Sequence, residues 1–434
     1  MSLPSMVPSA PALECRRKVL DFVVDPRALL HAEPGEPAFF WSAGGDQEIV
    51  ASGVVHAIET AGALRFRDAI AELGKLSASA PLVLGGFAFA DEATMTGEWR
   101  DFPALSLHIP RIATIRRGDR TELFVATTGT DGPLAADAAL ERGEAFVRAA
   151  TAGRKPGSGA LDLRVRSRSP DESWQRAVEG VLAEIEAGRL EKLVLSRILE
   201  VTAGGPIDAA GLVYHLARAH PQASVFAVRR GGSTFIGASP EPLARVEGRR
   251  LRTGAVAGTA RRGDGDSEER AAAAGLHASE KEHREHALVV ADVVARLRPH
   301  CTSMNAAAAP ETLVAGPVQH LRTPIEADLH ASTTLLDIVE ALHPTPALGG
   351  LPRQEVAAAL ARHEHEPRGW YGGGVGWIDG AQGEVTVAIR TALLRGHEAL
   401  LHAGAGIVAG SQWREELEET RLKLRTLLEA LLEV

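Results

Sequence analysis

Cysteine is nearly absent from this chain: Cys15 and Cys301 are the two among 434 residues. Two thiols cannot build the multi-bridge framework that staples small secreted domains, so a free thiol is expected at each, and neither is placed as a nucleophile. No run of about 18 apolar residues occurs, which is what a membrane-spanning helix needs. The opening Met-Ser-Leu-Pro-Ser-Met-Val-Pro lacks both the charged and the apolar region of a secretory signal. A cytoplasmic protein without a membrane partner is therefore expected. A basic excess is missing too: the net charge is -9, which argues against a nucleic-acid partner. What remains, 45% hydrophobic and 24% charged residues, is the composition of a globular chain long enough for one large domain or two.

Against that background two short acidic steps stand out, Glu282-x-x-Glu285 and Glu416-x-x-Glu419. Each lies in a segment that reads as helix. The first runs from a cap at Asp266 or Ser267 to Leu297, and the second from Trp413 to Leu432 with a stripe of Leu417, Leu424, Leu427, Leu428 and Leu431. A separation of three puts both carboxylates of a pair on one helix face. If the helices meet, four carboxylates converge, an arrangement that needs a cation, and oxygen-only donors suit Mg²⁺. Read from composition alone, both steps are more simply solvated charged faces, since surface glutamate is abundant. His283 and His286 read as helix-surface residues rather than ligands.

Residues 151–160, Thr-Ala-Gly-Arg-Lys-Pro-Gly-Ser-Gly-Ala, form the clearest linker. They separate an N-terminal part, 1–165, from a part richer in chemical signals, 166–434. In the first part strands are expected near 48–55, 82–90 and 121–127 and helices near 68–74 and 134–151. The second opens with a helix from Asp171, then a strand from Glu191 to Val201 whose apolar content implies burial although it carries Lys192 and Arg197. Desolvating an ammonium is costly, so the simpler expectation is that Lys192 snorkels to water. Short strands follow at 223–229, 233–237 and 242–247, with turns at Gly231-Gly232 and Glu247-Gly248. Glu241 stands between Pro240 and Pro242, which hold it on a rigid turn; such a glutamate is ordinarily at the surface. Residues 253–263 read as a Gly-rich loop. Helices near 332–342 and 354–363 precede a strand pair, Val385 to Leu394 with Arg390 inside it, and Leu400 to Val408 with Ala403-Gly-Ala-Gly406. Glycines within a strand suggest that something approaches the backbone closely, and an arginine beside them suits an anion.

Lys192-Leu-Val-Leu-Ser-Arg197, Ser239-Pro-Glu241, Ala257-Gly-Thr259, Ser279-Glu-Lys-Glu-His-Arg-Glu-His286, His343-Pro-Thr-Pro-Ala347, Arg368-Gly-Trp-Tyr371, Val387-Ala-Ile-Arg390, Ala403-Gly-Ala-Gly-Ile-Val408 and Glu416-x-x-Glu-Thr-x-x-Lys423 occur in this order. In this the chain resembles the chorismate-utilising enzymes, which include isochorismate, salicylate, anthranilate and aminodeoxychorismate synthases. The resemblance covers roughly residues 171–428. It implies a mixed α/β fold of two facing antiparallel-rich sheets with outer helices, a monomer, chorismate as substrate and Mg²⁺ as cofactor. Glu285 and Glu419 match direct metal ligands, and Glu282 and Glu416 positions that act largely through water. Lys192 matches a general base whose pKa burial would lower, and Glu241 a general acid whose pKa an apolar pocket would raise. Arg390 and Lys423 match residues that grip substrate carboxylates, with Gly258, Thr259, His320, Ala347, Tyr371, Gly404 and Gly406 around the substrate.

Within that family a lysine at 192 resembles the members that use water, whereas anthranilate synthases carry glutamine there. Aminodeoxychorismate enzymes carry lysine where Ala257 stands. The expected product is isochorismate; salicylate, by a further loss of pyruvate, is the alternative, and a non-catalytic chorismate-binding protein is the alternative of another class. Leu417 departs from the family's usual tryptophan, and Gln412-Trp413-Arg414 from its acidic-proline segment, which puts the local fit of the last helix in question.

Overall fold

A computed structural model describes residues 13–44, 47–76, 81–91, 95–128, 133–152, 162–263, 265–316 and 318–433. Most of the expected linker, 153–161, lies outside the described residues. Up to residue 152 the chain forms β1 (Leu13–Val19), α1 (Pro26–Ala32), β2 (Ala38–Ala43), β3 (Gln47–Thr60), α2 (Arg65–Gly74), β4 (Leu82–Phe87), β5 (Leu105–Arg117), β6 (Arg120–Thr128) and α3 (Pro133–Ala152). Then come β7 (Leu163–Ser167), α4 (Asp171–Glu186), β8 (Lys192–Ala203), α5 (Ala209–Ala219), β9 (Ser224–Arg230), β10 (Ser233–Ser239), β11 (Pro242–Glu247), β12 (Arg250–Arg261), α6 (Asp266–Ala278) and α7 (Glu280–Leu297). The last third holds β13 (Cys301–Ala306), β14 (Glu311–Ala315), β15 (Val318–Leu329), α8 (Leu335–Leu342), β16 (Gly350–Leu351), α9 (Arg353–His363), β17 (Gly374–Asp379), β18 (Gln382–Val387), β19 (Thr391–Arg395), β20 (Glu398–Val408) and α10 (Trp413–Leu432).

The strand pairings are antiparallel, as expected where hairpins turn on a glycine such as Gly231 (φ 53°) or Gly248 (φ 65°), a backbone region closed to most side chains. One run of strands leads from β15 through β12, β11, β18 and β17 to β4 and β5. From the other edge of β5 a second run leads through β3, β2, β9, β10, β19 and β20 to β8. The two facing sheets are thus hydrogen-bonded into one through β5. The N-terminal part is woven into it on both sides, since β2 pairs with β9 and β4 with β17. A single core draws Phe235 and Leu393 from the second run and Leu84 and Leu243 from the first, which is how burial of apolar area holds the two runs face to face. Trp99, Phe102, Phe235 and Trp370 meet edge-on within it.

Helices cover the outside, with α7 against β12 and α10 against β20 and α4. The last helix is seated despite its departures from the family pattern: Leu417 is buried with Trp174 and Val178 of α4, and the Trp174 indole donates to the Trp413 carbonyl at 3.1 Å. Among the described residues, no helix is long and apolar enough to cross a membrane. Both cysteines are free.

Three local readings are corrected. The expected single helix from 266 to 297 is two, because Ser279 takes an extended conformation (ψ 111°) and caps α7 by accepting from the Glu282 N–H at 3.4 Å; Gly265 caps α6. The Gly-rich stretch 253–263 is no loop but most of β12, with a register shift at Gly258. The expected strand 385–394 is β18 and β19 with a break between them, because Arg390 has φ 53°, outside the extended range of a regular strand residue with a side chain.

Candidate active site

Between the two runs of strands lies a cavity of about 270 Å³. β8 and β20 supply one wall, β12 and β15 the other, and the first turns of α7 and α10 close the acidic end. All fifteen residues singled out from the sequence line it. So do Lys281 and Glu415, which sequence reasoning missed. Each immediately precedes the first glutamate of an acidic step in the opening turn of its helix, and that adjacency is the signal that could have found them.

Lys192 opens β8 opposite Val408 of β20 and is buried, its side chain 3% exposed. Its Nζ donates to Glu285 Oε1 at 2.6 Å. The snorkelling expectation is therefore overturned: a carboxylate brought in by α7 offsets the desolvation that was expected to push the ammonium out. The strand glycines have the reason anticipated for them. A Cβ at Gly406 would lie 3.0 Å from Lys192 Cε, and one at Gly404 would lie 2.7 Å from the Tyr371 hydroxyl.

The four acidic-step glutamates share this end but not one environment. Burial acts to raise the Glu285 carboxyl, yet Lys192 beside it holds it below the ordinary value. Glu419 accepts from Lys423 at 2.5 Å, and Lys423 also donates to the Gly404 carbonyl at 2.8 Å. Glu282 accepts from the Thr259 N–H at 3.0 Å. The bulge at Gly258 (φ 79°) makes this possible, because a Cβ there would sit 3.1 Å from Glu282 Oε2. Burial, then repulsion from Glu285, pushes Glu282 up. Glu416 is buried and raised to about 7 by burial and then by Glu419. Among the described residues no three His, Cys, Asp or Glu side chains close into a ready-made metal cage. His286 is not the surface residue expected; it is buried, with Nε2 2.7 Å from the Thr323 hydroxyl.

At the other end Glu241 occupies the corner between β10 and β11. The corner is pinned through backbone: Val387 N–H and the Thr386 hydroxyl both donate to the Glu241 carbonyl, at 3.0 and 2.7 Å. The surface reading of Glu241 fails, for it is 8% exposed and burial raises its carboxyl to about 7 against the pull of Lys192, Lys423 and Arg390. Arg390 is buried and is the one described non-glycine residue with positive φ. Its Nη1 has no hydrogen-bond partner, and burial lowers the guanidinium to about 10 although Glu419, Tyr371 and Glu241 favour its charge. An unpaired buried guanidinium is a place prepared for an anion. Tyr371 stacks on His402 (5.4 Å between centroids, 20° between planes), and burial pushes its hydroxyl pKa up, keeping it a donor. His320 is held neutral by burial, with Nδ1 3.1 Å from the Thr259 hydroxyl. Ala347 and Leu348 complete the wall.

The cavity thus combines six carboxyl groups with four cationic groups, Lys192, Lys281, Arg390 and Lys423. The chain matches the family described as chorismate binding enzyme over residues 13–432. It is 35% identical over 355 residues to the salicylate biosynthesis isochorismate synthase of Pseudomonas aeruginosa, covering 81% of this chain and 74% of that one. To the isochorismate synthase MenF of Bacillus subtilis it is 32% identical over 356 residues, covering 82% and 75%. The fold superposes on the menaquinone-specific isochorismate synthase MenF of Escherichia coli with a TM-score of 0.83 at 27% identity, covering 98% of this chain and 96% of the other. Anthranilate synthase component I of Streptococcus pneumoniae shares the fold alone, with a TM-score of 0.71 at 19% identity and coverage of 98% and 93%. The chain belongs to the chorismate-binding enzyme family.

Proposed function

We propose that the protein is an isochorismate synthase, an isomerase that adds water to C2 of chorismate and expels the C4 hydroxyl as the ring double bonds shift. The observation that carries this reading is the pairing of a buried lysine and a buried glutamate without an ion-pair partner on the walls of one cavity. Lys192 takes a proton from the attacking water. Glu241, raised to about 7 by burial, gives one to the departing hydroxyl, so one water enters, one leaves, and the product is an isomer. In this structure the Lys192 ammonium donates to Glu285; it becomes a base only after it parts from Glu285 and releases a proton to solvent, and the proton it then takes from the attacking water restores the ammonium. Arg390, with no protein partner at Nη1, takes one substrate carboxylate, and the Tyr371 hydroxyl and Lys423 lie beside it.

Mg²⁺ fits the acidic end by its donor chemistry. Glu285 and Glu419 already hold ammonium groups at hydrogen-bond distance, while burial leaves Glu282 and Glu416 raised and in want of positive charge. With Glu241 and Glu416 raised to about 7, the other four carboxyl groups only balance the four cations, so a dianionic substrate brings negative charge that a bound cation would offset. Glu285 and Glu419 would hold the metal directly and Glu282 and Glu416 through water, the open arrangement Mg²⁺ prefers to a closed cage. When bound, the ion neutralises the ring carboxylate and stabilises negative charge on it.

Salicylate formation is the second reading, and the relatives' names favour isochorismate as the product. A binding protein without chemistry would not need Lys192 and Glu241 together. The test is incubation of purified protein with chorismate and Mg²⁺, with products separated by chromatography. Isochorismate without salicylate or pyruvate is expected; salicylate with pyruvate moves the assignment to the second reading, and unchanged chorismate moves it to the third.

A further inference from the structure

The lysines of the cavity are not equivalent. Lys192 and Lys423 each donate to a glutamate at 2.6 and 2.5 Å, so their charge is largely compensated. Arg390 is uncompensated but lies deep, 5% exposed. Lys281 is the remaining cation. It makes no ion pair or hydrogen bond among the described residues, it is half-buried, and it shares the rim of the cavity with the exposed Glu415. Its backbone is fixed, because it sits in the first turn of α7 behind the Ser279 cap. Two cations without a hydrogen-bonded carboxylate therefore line one cavity, the buried Arg390 and the half-buried Lys281, a charge pattern that suits a dianionic ligand.

We propose that Lys281 is the capture residue of the site: it draws in the dianionic substrate before its carboxylates reach Arg390 and the acidic end. This rests on the isochorismate synthase reading. A flexible, unpaired ammonium at a rim raises the local concentration of an anion and its rate of entry. Without Lys281 the incoming dianion would meet Glu415 and Glu282 on entering, and be repelled. Its charge also reaches inward, lowering the carboxyl pKa of Glu282, Glu285 and Glu416 from outside.

The experiment compares wild type, Lys281→Gln, Lys281→Arg and, as a control far from the cavity, Lys75→Gln, whose lysine is exposed and paired with Glu72. Initial rates with chorismate are measured over a range of salt, and Mg²⁺ binding to the substrate-free protein is measured by calorimetry. Lys281→Gln is expected to lower kcat/KM about 5–10-fold at low ionic strength, mostly through KM, with the gap closing to under about twofold near 0.5 M salt. Lys281→Arg should keep the wild-type salt dependence, and Lys75→Gln should match wild type throughout. Mg²⁺ affinity of Lys281→Gln should be equal to wild type or tighter, since removing a cation cannot weaken a neighbouring cation site unless the residue shapes it. A defect of the same size at every salt concentration, weakened Mg²⁺ binding, or rates equal to wild type at low salt would each overturn the proposal. Wild-type protein that neither binds nor converts chorismate overturns the functional reading instead, and the proposal with it.

Discussion

At the α7–α10 end of the cavity, Glu285 and Glu419 accept hydrogen bonds from lysines and a third lysine stands free at the rim. At the β10–β11 corner Glu241 is the more deeply buried, yet no hydrogen bond or ion pair to its carboxyl group occurs among the described residues, and its own peptide is what the neighbours hold. The same side chain is therefore kept in opposite states within one cavity. A carboxyl with an ammonium at bonding distance ionises despite burial, and one with cations only at longer range stays protonated to about pH 7. The proposed reaction uses both: ionised carboxylates that would hold a metal ion, and a carboxylic acid where a hydroxyl departs. The acidic steps repeat the contrast in small. In each, the second glutamate is paired with lysine and the first is raised by burial and by its neighbour.

The hardest blow to this division of labour is Lys192→Ala. Turnover is expected to fall by about 10³-fold or more, the upper range for loss of a general base, while chorismate still binds in a calorimetric titration. Undiminished turnover would strip Lys192 of its role and leave the lysine as a counter-charge to Glu285. Glu241→Gln is next, with an expected loss of about 10²–10³-fold in kcat. Its pH profile is the sharper reading. Because Glu241 of the substrate-free protein is protonated below about 7, wild-type kcat/KM should decline as pH rises through about 7. The variant, having no proton to lose, should show a low rate without that limb. A limb that persists in the variant belongs to another group.

The glutamate steps were legible because helical spacing is periodic and survives any tertiary context; α10 spans the residues expected of it, and α4, β8 and the strand series from β9 to β11 lie within a few residues of their expected places. What tertiary structure alone supplies was not. The burial of Lys192 depends on Glu285, 93 residues away in the chain, and a local reading of an ammonium in an apolar strand rightly sends it to water. The break at Arg390 hides inside a stretch of strand-forming residues, Val385 to Leu394, since a left-handed φ in a non-glycine residue has no signature in composition. The break at Ser279 did have one. Ser279-x-x-Glu282 is a helix-start pattern, masked by an alanine-rich stretch that reads as continuous helix. The family resemblance named the cavity residues because motif order carries information that local physics does not, but it said nothing of Lys281 or Glu415, whose importance lies in where the rim falls.

The gentlest probe of the contrast is stability rather than rate. Glu416 holds its proton to about pH 7 in the folded chain against an ordinary value of 4.5. Between those two pH values the folded protein binds more protons at this position than the unfolded one, so stability falls as pH rises through the window. Burial of the ionised form at pH 8 costs about 1–3 kcal/mol on this account. Glu416→Gln, which keeps the shape of the protonated side chain, should therefore melt at the same temperature as wild type near pH 4 and a few degrees higher at pH 8, without added metal. Mg²⁺ should close that gap by raising the wild type, since a divalent cation favours the ionised carboxylate and gives an amide little. A variant less stable than wild type at pH 8 would mean that Glu416 is already compensated, and the acidic end would then resemble the lysine-paired glutamates throughout instead of holding one lysine-paired carboxyl and one without a lysine on each helix.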